Sequence, residues 1–211
     1  SYSVVIGKGA FAAANSGEMS NVVIGYVAGA SIDHANSDLN VIIGQAAGTG
    51  GGAAMISCIA IGDNAMNSTA ANAQTGTIGI GSSVLAALTS GASNTAVGYQ
   101  AGKEITTGSR NTVIGYGAMD DSSIALCVDN TFIGYDAGGG TWASNPSSGN
   151  VGIGSYVMDA AMNSALYNVG VGDLALSALT TGDQNTCVGR QAGNTIVAGG
   201  TNTCIGYNAQ P

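Results

Sequence analysis

The chain has 211 residues, of which 35 are glycine and only 8% are charged, while hydrophobic residues make up 45%. Its net charge of −8, with Lys8, Lys103, Arg110 and Arg190 as the only permanent cations, leaves no basic surface to neutralise phosphates and argues against nucleic acid as a partner. Every apolar run is broken by Gly, Ser, Thr or Asn well short of the ~18 residues a membrane helix needs, so the chain is not expected to be membrane-embedded.

One short motif recurs along the whole chain. SVVIG (3–7) opens the series, followed by NVVIG (21–25), NVIIG (40–44), CIAIG (58–62) and TIGIG (77–81). NTAVG (94–98), NTVIG (111–115), NTFIG (130–134), NVGIG (150–154), NVGVG (168–172), NTCVG (185–189) and NTCIG (202–206) complete it. The closing glycines stand 17 to 20 residues apart, and nothing outside the array remains for a second domain, so residues 1–211 read as one repeat domain.

Each motif predicts a strand. The residue before the glycine is always Ile or Val and the one three before it is always β-branched, which places this face in a core. Asn stands four before the glycine in nine of the twelve motifs, so stacked coils can build an amide ladder. Two before the glycine run Val5, Val23, Ile42, Ala60, Gly79, Ala96, Val113, Phe132, Gly152, Gly170, Cys187 and Cys204, with no polar residue among them. A strand apolar on both faces is covered on both. A second copy of the chain is the simplest cover for this column, and a return strand of the same chain is the alternative.

Beyond the glycine, the third position is always Ala or Val, and the fourth is most often either Gly (Gly29, Gly48, Gly102) or a large apolar residue (Met66, Leu85, Met119). Gly91, Gly108, Gly182 and Gly199, each seven before the next closing glycine, mark a return turn. Seventeen residues hold two short strands and two corners, and twelve coils stacked at ~4.8 Å make a rod of roughly 58 Å. The expected fold is all-β: a β-solenoid or β-roll of about twelve coils of 17–20 residues.

Residues that could carry chemistry are few. Asp120, Asp121 and Asp129 share one interval, and Asp33 and Asp38 flank His34, the single histidine; solvated loops are the ordinary place for such acids. No triad, metal cluster or cofactor motif can be assembled, and no enzymatic activity is expected. Cys58, Cys127, Cys187 and Cys204 have neither disulfide-scaffold nor zinc spacing and read as free, apolar packing residues. The longest interval, Gly134 to Gly154, carries Trp142, the only tryptophan, in GGGTWASNPSSGN. Trp142, with Asn145 and Tyr135, is the candidate ligand-binding set, since an indole exposed on a polar loop can stack on a sugar; capping a coil or packing on a subunit seam is the other reading for Trp142.

NTAVGYQAG, NTVIGYGAM, NTFIGYDAG, NTCVGRQAG and NTCIGYNAQ, joined by linkers such as LSALTTGDQ, closely resemble repeats of bacteriophage tail-fibre proteins. NVVIGYVAG and NVIIGQAAG resemble the head repeats of trimeric autotransporter adhesins. The resemblance covers essentially the whole chain and implies a parallel homotrimeric fibre that binds a host surface glycan or envelope receptor and is located in a virion tail fibre, or, in the alternative, on a bacterial cell surface. The start SYSVVIG, without an initiator Met, fits a processed or excerpted part of a longer fibre protein. A glycan-cleaving tailspike and an ice-binding solenoid are weaker readings; for the latter, Thr95, Thr112, Thr131, Thr186 and Thr203 share the strand column with Val and Ile and are expected inside.

Overall fold

The computed structural model describes residues 2–14, 17–51, 53–68, 73–121, 127–142 and 145–211. The fold is all-β, with no helix among the described residues. Twelve three-residue strands, from Val4–Ile6 to Thr203–Ile205, form one parallel sheet in which each motif's strand pairs with those of the motifs before and after it. The register is the one the alignment requires: Val22 faces Val41, Val41 faces Ile59, and Thr112 faces Thr131. A second parallel pair, Met55–Ile56 with Gln74–Thr75, lies on the return side. One strand of the main sheet per coil, stacked in parallel on its neighbours, defines a β-solenoid.

Each closing glycine makes the corner that follows the strand. Its φ lies in the positive region, +140° at Gly98, and a Cβ there would run into the carbonyl of Gly115 in the next coil. Stacking coils at sheet spacing therefore admits only glycine in this column. At Gly206, past the last of the described strands, a Cβ would meet no atom within 4 Å.

The two faces of the strand are the reverse of those expected. The column two before the glycine points inward: Val23, Ile42, Ala60, Ala96, Val113, Phe132 and Cys187 are fully buried. It is covered by the return stretch of the same chain, the alternative left open by the sequence. The Ile/Val column beside the glycine and the β-branched column two residues earlier point outward and are half-buried to exposed, and the threonines expected inside stand there too. An apolar pattern on both faces gives no sign to choose between them; the size of the residues does. The interior is narrow, and only its column alternates between Gly, Ala and Phe.

That alternation is compensated within many of the coils, though not in that of Val113, where Met119 is also large and buried. In several coils the inward strand residue is large and the fourth position past the glycine is Gly, as with Ile42 and Gly48 or Phe132 and Gly138. Where it is glycine, the fourth position is large, as with Gly79 and Leu85, Gly152 and Met158, or Gly170 and Leu176. A Cβ on Gly138 would lie 2.9 Å from the Phe132 ring. The core is closed on the return side by Ile32, Leu88, Ile105, Leu179 and Ile196, seven past the glycine, and by Trp142 and Met162 at the eighth position. Small Ala28, Ala47, Ala101 and Ala175 line the corner between.

The asparagine ladder is present. Asn130 donates from its backbone N and its Nδ2 to Asn111 Oδ1 at 3.1 and 3.2 Å, and Asn150 does the same to Asn130 Oδ1. The remaining Nδ2 proton of Asn130 goes to the Ser147 carbonyl across the coil, at 3.0 Å. Each buried amide thus ties its strand to the coils on either side and to the return stretch, and a fully satisfied network of this kind stiffens a core. The ladder is interrupted at Cys58 and Thr77. Beside the gap, Gln74 is fully buried with neither amide atom hydrogen-bonded.

Candidate binding surface

Trp142 does not present a face to solvent. It is 2% exposed, fills the return-side core position of its coil, donates its Nε1 proton to the Gly138 carbonyl at 2.9 Å, and meets Phe132 edge-on at 5.8 Å. The extra residue that places it at the eighth instead of the seventh position made it look like part of an exposed loop. Asn145 is exposed and donates from its backbone N and Nδ2 to Asn163 Oδ1 of the next coil. Tyr135 is exposed and packs between Tyr116 and Tyr156. The three residues therefore serve three separate contacts, and the sugar platform expected at Trp142 is not formed.

Two other surface features take its place. The first is the outward sheet face, twelve strands long, made of Val, Ile and Thr alone in two columns. The second is a row of tyrosines one residue past the glycine corner. Tyr99 and Tyr116 stack with ring centroids 5.0 Å apart, and Tyr116 and Tyr135 at 5.3 Å with an interplanar angle of 8°. Tyr156, two residues past Gly154 and so one place out of this column, meets the Tyr135 ring edge-on at 5.3 Å and 66°. The position repeats once per coil, so like residues in successive coils fall at sheet spacing and stack. Repulsion from Tyr156, then a hydrogen bond between the two hydroxyls, holds the Tyr135 phenol protonated above the usual tyrosine range.

Asp136 lies close enough to this row for its charge to act on Tyr135, and it belongs to a group of mutually repelling acids. Burial, then the charges of Asp136 and Asp120, pushes Asp159 up to about 6, and burial with Asp136 and Asp121 raises Asp120. Among the described residues no group of three or more His, Cys, Asp or Glu side chains is arranged to hold a metal ion. The other acids singled out in the sequence act locally: Asp129 makes a two-point ion pair with Arg110 at 2.6 and 2.9 Å, and Asp38 Oδ1 accepts the Met19 N–H at 2.6 Å. The His34 Nδ1 accepts the Asn36 N–H at 3.2 Å. No described helix is long and apolar enough to cross a membrane.

The four cysteines are free and buried. Cys187 and Cys204 face one another in register, and burial, then the hydrogen bond to Cys204, pushes the Cys187 thiol up to about 12.

The geometry defines a parallel β-solenoid with an outward face of Val, Ile and Thr and an aromatic edge. Compared with protein-family models, curated proteins and solved structures, the chain matches none.

Proposed function

We propose that this chain is a structural and host-recognition segment of a homotrimeric bacteriophage tail fibre, with no enzymatic activity. The observation that carries the reading is the outward face: an Ile/Val column runs unbroken along the twelve strands beside a column of Val, Ile and Thr, and a long apolar strip of this kind is what further copies of the same rod would cover in register. The repeated NTxxGYxAG units support the phage assignment. The head of a bacterial trimeric adhesin shares the trimer and differs in what is encoded beside it; a translocator barrel in the same reading frame would establish that alternative, tail and baseplate genes the phage.

Light scattering tests the assembly. The expected particle has three times the 20.4 kDa of one chain, and a monodisperse single-chain particle overturns it. Ile114→Asp with Val97→Asp, both on the outward face, is expected to dissociate the assembly. The outward Thr column also fits an ice-ordering surface, but its run is broken by Val151 and Val169 and the first five coils carry Val or Ile instead. Measurable thermal hysteresis would favour that function over the fibre.

A further inference from the structure

We propose that the row Tyr99, Tyr116, Tyr135 and Tyr156 is a binding strip for an extended, uncharged sugar chain lying along the solenoid axis. The proposal draws on the host-recognition reading only for the source of the glycan. Four successive coils each contribute one ring, the centroids step by 5.0, 5.3 and 5.3 Å, and the rings are 37–52% exposed although each is held by its neighbours. An extended β-linked glycan advances by about one pyranose ring, ~5 Å, per sugar, which is close to the spacing of stacked strands. Sugar and protein therefore stay in step over the length of the row instead of meeting at one point.

The chemistry of the strip suits a sugar. Each phenol offers an apolar edge and a hydroxyl that donates and accepts, matching the alternating C–H and O–H surface of a pyranose. Tyrosine has two side-chain torsions, already fixed here by stacking, so little freedom is lost on binding. Tyr156, turned 66° from its neighbour, ends the stack with a differently oriented ring on which a sugar face can rest. The carboxylate of Asp136, whose charge is felt by the Tyr135 phenol, accepts hydrogen bonds from sugar hydroxyls and repels uronate or phosphate-bearing chains. Three of the rings stand one residue beyond the glycine corner and Tyr156 two, all outside the strand columns, so the sugar and the proposed trimer interface use different residues.

The test is isothermal titration of the whole chain with chitohexaose, cellohexaose and, as the charged control, an oligogalacturonate of equal length. At least one neutral hexamer is expected to bind and the oligogalacturonate not to. Tyr116→Ala should weaken binding about tenfold or more, Tyr116→Phe and Tyr135→Phe by less, and Tyr2→Ala, outside the row, not at all. The Phe variants keep the ring stack and answer the question if the Ala variant disturbs folding. No binding of either neutral hexamer, or equal binding by the wild type and both Phe and Ala variants, overturns the proposal. The particle mass is measured separately, so a sugar-binding chain that is monomeric would overturn the fibre and leave the strip standing.

Discussion

The Phe132 ring occupies the space that a side chain at position 152 would need: the two residues are register partners in adjacent coils, and a Cβ on Gly152 would stand 2.6 Å from the ring. Gly152→Ala is expected to destabilise the protein by about 1–3 kcal/mol, the range for overpacking a filled core. Combined with Phe132→Leu it should cost less than the sum of the two single changes, by ~0.5 kcal/mol or more. Denaturant unfolding of the four variants reads this directly, and simple additivity would show that the ring yields freely.

The amide ladder makes an opposite pair of changes informative. Asn130→Ala strips partners from the Asn150 backbone N and Nδ2 and from the Ser147 carbonyl, at about 1 kcal/mol each, so a loss near 3 kcal/mol is expected. Cys58→Asn with Thr77→Asn extends the ladder across its gap and should raise the melting temperature. Scanning calorimetry checks both, and a lowered midpoint for the double variant would mean that the gap is shaped for Cys and Thr.

Asp159 makes stability fall as pH rises. Its folded pKa of about 6 exceeds the ordinary 3.8, so the stabilising, protonated form is fully present below 3.8 and is lost as pH rises through about 6. The effect is on the order of 1 kcal/mol once solvent screening is allowed for. Asp159→Asn should flatten the pH profile of urea midpoints between 4 and 7 and raise the one at pH 7; an unchanged profile would assign the slope to other groups.

The thiols respond at the other end of the scale. The Cys187 thiol, raised from 9.0 to about 12, favours the folded state below pH ~9, and that contribution is lost as pH climbs towards 12. Native protein should alkylate slowly at neutral pH, and denatured, unreduced protein should take up four labels. Fewer labels in the intact mass would reveal a disulfide.

The period, the glycine corners and the asparagine ladder were legible because each imposes one residue type at one place: only glycine fits beside the Gly115 carbonyl, and only an amide offers both bonds that Asn130 makes. The inward direction was not, because a strand apolar on both sides carries no polarity signal. A size signal was present in the pairing of Phe132 with Gly138 and of Gly152 with Met158, where one coil's volume is shared between two positions. The return-side column from Ile32 to Ile196 would have placed Trp142 among core residues once the added residue in its coil was allowed for. Tyr135 and the stacked Tyr116 and Tyr99 could be found by the same alignment, since they occupy one column, whereas Tyr156 lies one place out of it; Asn145 is exposed as expected but pairs with Asn163.

Because every glycine corner rests on an identical corner, each coil offers its successor the same footing that it receives. A rod built this way can gain or lose whole turns without redesigning any junction, so its reach is adjustable in steps of a single repeat. Unequal recombination between neighbouring repeats would then alter how far the solenoid extends while leaving its cross-section untouched.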